Sequence, residues 1–409
     1  MWTSSLNYSH GNLAGMRLSA MVFSQEFEGL FGADNSATFQ DARIAPVGTL
    51  YDQSRATASK LGSKVTLTHD QLAGGRLKLT GGFDTLLDKG KQDLYGTGRT
   101  YVPESTYRNL SLFGQAEFKL TSSLTLHGGV RREIADLKID SYQTLARYNN
   151  VAVEGGKLRF NQTLFNAGAV YKPWRSTTFF ANYSEGFGLP DIGRVLRAIN
   201  TPGQSVADMR MLEPILTKNV EVGTRWQQGD WNAELSVFRS SSDYGTRVIP
   251  VDGAFMMARE KTRIEGAEAS LGWRITRQHR AKLAYAYTKG RYDSDGNGSL
   301  DARLDGLNVA PDRVIASWSA DWSDKLSSFV QAQHAFKQSF DTADKDFSGY
   351  TLVDVALSYK LPKGRARVAV ANLFDRSYIT YYSQSALVEA NRYFAGRGRT
   401  VSVGYALDF

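Results

Sequence analysis

Hydrophobic and polar residues alternate with a period of two along most of this chain, and the alternating stretches come in pairs joined by short turns. Between residues 108 and 134, Leu110, Leu112, Gly114, Ala116, Phe118 and Leu120 alternate with Asn109, Ser111, Gln115, Glu117 and Lys119. Thr121-Ser122-Ser123 turns the chain, and Leu124, Leu126, Gly128 and Val130 then alternate with Thr125, His127, Gly129 and Arg131. Successive side chains on a strand point to opposite faces, so each stretch predicts a strand with one greasy and one polar face. Phe113 is the exception on the polar face. The pattern recurs where Val220, Val222, Thr224 and Trp226 lead through Gln227–Asp230 to Trp231, Ala233, Leu235 and Val237. It recurs again where Val353, Val355, Leu357, Tyr359 and Leu361 precede Pro362-Lys363-Gly364, with Ala366, Val368 and Val370 following. Further tight turns are predicted at Gly11-Asn12 and near residues 73–75, 173–176, 276–280 and 323–325.

Between these turns lie long segments rich in Gly, Asn, Asp and Arg, at roughly 27–50, 88–105, 137–156, 187–215, 292–310, 339–348 and 376–396. The pattern predicts about 17 strands, each long enough at about ten residues to cross a membrane at a tilt. Long loops at one end and short turns at the other are the asymmetry of outer-membrane barrels. The expected fold class is therefore all-β, a transmembrane antiparallel β-barrel with long extracellular loops and short periplasmic turns. No run approaches the ~20 consecutive apolar residues of a membrane helix. A soluble propeller would show a blade motif of fixed period, and none is visible.

Composition narrows this picture. The 409 residues contain no cysteine, which removes disulfides, thiol nucleophiles and thiolate metal sites. Tyr 20, Phe 21 and Gly 38 suit strands with aromatic belts and tight turns. The net charge is +8, but Lys and Arg are scattered and often sit beside Asp or Glu. A nucleic-acid binder would cluster them, so no nucleic-acid partner is expected; a solvated basic surface that attracts anionic ligands at the loops is. Trp174, Trp226, Trp231, Trp273 and Trp322 all lie beside predicted short turns, as an aromatic girdle at one membrane interface would. Met1–Ser5 opens in strand-like sequence, without the basic and apolar segments or cleavage site of an export signal.

Near the C-terminus, Val401, Val403, Tyr405, Leu407 and Phe409 share one strand face, opposite Ser402, Gly404, Ala406 and Asp408. This strand resembles the terminal strand of bacterial outer-membrane proteins, whose last aromatic is part of an assembly signal. Ahead of it stand Ala371-Asn372-Leu373-Phe374-Asp375-Arg376-Ser377-Tyr378 and Gly396-Arg397-Gly398-Arg399-Thr400. These segments resemble those that bracket the last extracellular loop of TonB-dependent outer-membrane receptors. Tyr183–Phe187, Leu212-Glu213-Pro214 through Asn219, Glu221 and Gly223, and Arg263–Glu268 look like mid-barrel signatures of the same family. The likeness is closest to ferric-siderophore receptors, particularly the aerobactin (citrate-hydroxamate) type. Read without the resemblance, Asn372 and Asp375 suit a strand end by bonding neighbouring backbone, and Gly396 and Gly398 permit a bend at the loop exit.

The resemblance implies a receptor in the Gram-negative outer membrane, surrounded by outer-membrane lipid and lipopolysaccharide. It implies a ferric siderophore as ligand, the TonB–ExbB–ExbD system as partner, no enzymatic activity and no required cofactor. Such receptors carry an N-terminal plug and a TonB-contacting box ahead of a barrel of about 22 strands. Neither is read in this chain. Residues 1–409 are accordingly expected to be the C-terminal part of the barrel of an N-terminally truncated receptor, with the plug domain absent.

Candidate ligand contacts are the aromatic and arginine residues of predicted loops and barrel mouth: Tyr95, Tyr101, Phe187, Arg194, Arg197, Tyr244, Tyr381, Tyr382 and Tyr393. Arginine suits an anionic ferric complex through charge-assisted hydrogen bonds, and aromatics stack on its organic surface; loop packing is the competing role for each. Asp293, Asp295, Asn297 and Asp301 surround Gly296 and Gly298 with the early spacing of a calcium loop, although Leu304 stands where a bidentate Glu belongs. An Asx-rich turn is the alternative there. His10, His69, His127, His279 and His334 are scattered outside the long loops, which disfavours haem. No Ser/His/Asp arrangement, zinc spacing or phosphate loop is present. The remaining alternatives are a passive porin-type channel, an outer-membrane phospholipase or protease, or a receptor of this family for haem or cobalamin.

Overall fold

A computed structural model describes residues 1–251, 254–340, 346–385 and 394–407. Tyr393, Asp408 and Phe409 lie outside the described residues. The chain divides into two compact units: residues 1–169 with 184–216, and residues 170–183 with 217–409.

In the first unit β1 (Trp2–Leu13), β2 (Met16–Asp34), β3 (Asp52–Gln71), β4 (Leu77–Leu94), β5 (Thr100–Lys119) and β6 (Leu124–Ile139) run antiparallel, each paired with the next. A small ladder of β7 (Tyr142–Gln143) and β8 (Ala152–Val153) occupies the loop after β6. β9 (Gly156–Trp174) and β10 (Thr177–Gly188) each contribute residues to both units.

The second unit continues with β11 (Ile215–Gln228), β12 (Trp231–Val251), β13 (Ala254–Arg274), β14 (His279–Tyr292), β15 (Ala302–Arg303) and β16 (Arg313–Asp321). It ends with β17 (Leu326–Ala335), β18 (Tyr350–Leu361), β19 (Gly364–Ala371) and β20 (Thr400–Leu407), again antiparallel. Among the described residues eighteen strands belong to one sheet. All but the two-residue β15 are long, which agrees with the expected count. No helix among the described residues is long and apolar enough to cross a membrane, a test that does not bear on strands.

The alternation behaves as the sequence requires. In the first unit Leu6, Val22, Leu61, Leu79, Phe83, Leu112, Val130 and Ile134 are all exposed on one face. In the second, Val220, Val222, Leu235, Val237, Leu271, Leu283, Leu357, Val368 and Val403 are too. Scattered exposed leucines are ordinary, but a continuous apolar face marks contact with something apolar.

The opposite face is polar and ion-paired. Arg131 bonds Asp84 at 2.7 Å and also pairs with Glu133, which accepts from Asn109 Nδ2 at 2.7 Å. Phe113 belongs here: Arg131 stands over its ring at 5.7 Å and Lys64 at 5.9 Å. Its ring also covers Gly82, its register partner on β4. The aromatic that breaks the sequence pattern thus fills the space above a glycine and meets two cations.

Several boundaries differ from the sequence expectation. The first turn is at Ala14-Gly15, not Gly11-Asn12, because both residues adopt the left-handed conformation (φ 52° and 83°) and Asn12 Oδ1 accepts from Gly15 N at 2.8 Å. Residues 27–34 and most of 88–105 are strand, leaving loops at 35–51 and 95–99. In 88–93 polar residues carry the ladder, so composition misreads strand as loop; 27–34 keeps the apolar Phe27, Leu30 and Phe31 within the ladder between its glycines. Tyr244 lies within β12.

The tryptophans fall as expected. Trp231 and Trp273 are register partners with stacked rings, 4.8 Å apart and 4° from parallel. Trp318 and Trp322 meet edge to face at 5.6 Å, with His279 against both. Trp174 and Trp322 are exposed beside their short turns.

Candidate functional site

The loops of the first unit have a core of their own. Phe39, Leu94, Leu145 and Tyr148 are buried together, with Tyr101 and Ala198 packed against them. These residues come from four segments far apart in sequence, which fixes those segments to one another. Polar side chains hold the edges. Asp52 accepts from Gly96 N at 2.7 Å and Thr97 Oγ1 at 2.6 Å, and Arg99 donates to the Phe39 carbonyl at 2.7 Å. Arg43 donates to Asp41 Oδ2 at 2.7 Å and to Asn150 Oδ1 at 2.5 Å. Side-chain hydrogen bonding from Arg43 lowers the Asp41 carboxyl to about 2, against the opposing effect of burial. Burial works to raise the Asp52 carboxyl, but the hydrogen bonds from Thr97, Gly96 and Gln53 hold it below its ordinary value.

Of the expected ligand residues, two meet in this unit. Arg197 lies 96 positions beyond Tyr101, donates to its hydroxyl at 3.1 Å, and stands 5.1 Å from the centre of its ring. The same ring meets Phe39 edge to face at 6.0 Å. Arg197 is presented by the short helix Ile192–Arg197, whose first turn Asp191 caps by accepting from Arg194 N at 3.0 Å. The Arg194 guanidinium is paired with Asp191 at 2.9 Å. Tyr95 is exposed, with Arg55 at 5.2 Å over its ring. Phe187 packs against Phe160 at 6.3 Å.

The second unit holds the others. Arg259 stands 4.1 Å over the Tyr244 ring and bonds its carbonyl. Tyr381 donates to the Val309 carbonyl at 2.8 Å and bonds Gln338 at 3.1 Å, with Phe347 edge-on at 4.9 Å. Burial pushes its phenol up. Next to these contacts lies a cleft of about 140 Å³ whose lining includes Lys289, Arg303, Lys337 and Asp312. Tyr382 is exposed.

The expected calcium loop is closed by hydrogen bonds. Asp293 Oδ1 accepts from Gly296 N and Asn297 N, and its Oδ2 accepts from Gly298 N at 2.7 Å. Asp295 holds the Asn297 amide, and Asp301 takes both the backbone N–H and the hydroxyl of Ser294. Among the described residues no three His, Asp or Glu side chains converge to hold a metal ion. These carboxylates accept from backbone and side-chain donors of their own loop, as in an Asx-rich turn.

The signature residues near the C-terminus are structural. Asn372 Nδ2 donates to the Arg376 carbonyl at 2.9 Å and its Oδ1 accepts from Arg376 N at 2.8 Å, while Asp375 accepts from Arg399 N at 2.8 Å. Both residues have φ of 51°, the left-handed region that Asn and Asp tolerate. Gly396 serves close packing more than bending: a Cβ there would come within 2.0 Å of the Tyr378 ring.

Sequence reasoning missed Arg99, Asp41 and Asp52, which hold the loops, and the cations Arg55 and Arg259 beside Tyr95 and Tyr244. Nothing local marks Arg99, Asp52, Arg55 and Arg259, because their partners lie in other segments, whereas Asp41 is held chiefly by Arg43, two positions on.

Comparison with known proteins decides the family. The model of the TonB-dependent receptor-like β-barrel matches residues 1–373. The chain belongs to this family. Members of the TonB-dependent receptor family are β-barrels of the Gram-negative outer membrane. The ferric aerobactin receptor of Klebsiella pneumoniae is 26% identical, over 99% of this chain and 60% of that protein. The rhizobactin receptor of Rhizobium meliloti (strain 1021) is 24% identical over 83% of this chain and 47% of its own length. The chain thus spans about 60% of the length of the ferric aerobactin receptor it matches. Among solved structures the copper transporter OprC superposes with a TM-score of 0.79 at 16% identity, covering 98% of this chain and 64% of that one. The ferric citrate transporter FecA gives 0.74 at 15%, covering 100% and 61%. At such identities these two establish the fold.

Proposed function

We propose that this chain forms the barrel part of an outer-membrane receptor that takes up a ferric siderophore of the citrate-hydroxamate class, driven by TonB with ExbB and ExbD. The observation that carries the reading is the family match over residues 1–373, joined by relatives named as ferric aerobactin receptors. The residues supply suitable chemistry. Arg197 with Tyr101 in one unit, and Arg259 with Tyr244 in the other, pair a guanidinium with an aromatic face. A carboxylate-rich ferric complex is bound by the first element, and its organic surface by the second.

The chain's part is binding and conduction, with no covalent step. Arg197→Ala is expected to weaken ferric aerobactin binding by about tenfold or more, since a charge-assisted hydrogen bond contributes about 1.5–3 kcal/mol. Tryptophan-quenching titration of the membrane-inserted protein measures this, and unchanged affinity would remove Arg197 from the site. A passive channel is the rival, and iron uptake that persists without TonB is the result that would favour it.

A further inference from the structure

Three short turns of the second unit sit side by side: 175–176 between β9 and β10, 229–230 between β11 and β12, and 275–278 between β13 and β14. Backbone hydrogen bonds tie them into one rim, Gln227 N donating to the Ser176 carbonyl and Arg274 N to the Asp230 carbonyl, each at 2.8 Å. Just inside this rim lies a recess of about 720 Å³. It opens on the polar face of the sheet. Arg225 marks that face, since it stands 5.1 Å over the Phe180 ring, and the same ring covers Gly223.

Five cations line the recess, Arg175, Arg225, Arg274, Arg280 and Lys282, against two carboxylates, Asp230 and Glu234. Both carboxylates are already engaged, Glu234 with Arg225 at 2.9 Å and Asp230 with Arg274 at 2.8 Å. Arg280 meets Asp321 at 3.9 Å, and Arg175 and Lys282 have no carboxylate partner among the described residues. Arg280 is the register partner of Arg274, and Lys282 stands opposite Gly272 two rungs further on. Like charges directly opposite one another on a sheet are destabilising. An anion held between the two guanidiniums would remove that cost through charge-assisted hydrogen bonds. The floor adds a neutral donor, because the Asn232 amide lies over Gly272.

We propose that this recess is an exit subsite, which takes the carboxylate groups of the anionic ferric complex as it leaves toward the periplasm. Short turns mark the periplasmic end of an outer-membrane barrel, so the recess lies at the opposite end of these strands from the long loops. Surplus positive charge in a concave surface raises the local concentration of anions. The three arginines on the strands are more than half exposed, at 63% for Arg225, 56% for Arg274 and 60% for Arg280. Their attraction is therefore screened by salt, and the contact is weak enough to release what it holds. The inference rests on the uptake reading for the identity of its ligand, and it adds a place of contact remote from Arg197 and Tyr101 in sequence.

The test has a binding arm and an uptake arm, both on the protein that carries this chain. In the first, the protein in detergent micelles is titrated calorimetrically with citrate in the Arg197→Ala background, so that the loop contact does not contribute. Citrate is expected to bind, and to weaken by about tenfold or more as salt rises from about 0.02 to about 0.3 M. Arg280→Gln combined with Lys282→Gln is expected to weaken it by about tenfold or more at low salt. Asp230→Asn, which releases Arg274, is expected to tighten it several-fold, a gain that a merely structural role would not give. Arg239→Gln, on the apolar face and paired with Glu265 at 2.6 Å, is expected to change nothing. In the second arm, with Arg197 intact, the double change is expected to lower the saturating rate of iron-55 uptake from ferric aerobactin several-fold and to leave the half-saturating concentration unchanged. No citrate binding, or equal binding with and without the double change, would overturn the proposal. So would a raised half-saturating concentration at an unchanged maximal rate, which would put these cations at entry and not at exit. Should the double variant fail to fold, Asp230→Asn and the salt dependence decide the matter. The citrate titration contains neither iron nor TonB, so its failure strikes the recess alone, whereas absence of uptake by the unmodified protein strikes the uptake reading.

Discussion

A methyl group added at Gly266 would lie 2.4 Å from the tip of the Phe238 ring and 2.6 Å from the Tyr287 carbonyl. Phe238 and Gly266 are register partners, as are Phe23 and Gly62, and Phe113 and Gly82. The polar face of this sheet thus repeatedly covers a glycine with an aromatic from the neighbouring strand. Gly266→Ala forces the ring aside, and a loss of about 1–3 kcal/mol is expected, read as a lower urea midpoint for unfolding from micelles. The same substitution at Gly114, where the space is open, is the control. Asp41 supplies a residue-scale prediction in pH. Its carboxyl is depressed from 3.8 to about 2, so the stability it lends the loop is complete above about 4 and is lost as pH falls through about 2. Hydrogen-exchange protection of residues 35–51, corrected for the intrinsic rate, should fall across that window and not between pH 5 and 7.

At the scale of elements, the hairpins were legible because each strand meets two different environments, and two environments write a period of two into the sequence. The Leu110–Leu120 and Leu124–Val130 stretches fell where expected, as did the turn at Thr121–Ser123, whose Thr121 hydroxyl accepts from Ser123 N and Leu124 N. Strand ends beyond the apolar band were not legible, since β3, β4 and β5 continue there with polar residues on both faces. The candidate site was readable only as a list of suitable side chains. That Arg197 would meet Tyr101, or Arg99 the Phe39 carbonyl, depends on contacts between segments 96 and 60 positions apart, and no local pattern records them. The stacked Trp231–Trp273 pair and the Trp318–Trp322 pair make a separate prediction. If they lie at a membrane interface, lipids brominated near the headgroup should quench their fluorescence more than lipids brominated near the chain ends. Equal quenching at both depths would count against the girdle.

At the scale of the whole molecule, three features converge: a continuous exposed apolar face in each unit, an ion-paired opposite face, and loops locked by their own small core. A soluble all-β protein would bury the apolar face; here that face is exposed in each unit, and the family match gives the arrangement its meaning. The central claim, TonB-driven uptake of a ferric siderophore, is tested most directly by iron-55 uptake from ferric aerobactin. The cells should have, as their only receptor, the protein that carries this chain, and should be compared with and without TonB. The expected result is saturable uptake that is lost when TonB is deleted; uptake of equal rate in both strains, or none in either, would contradict it.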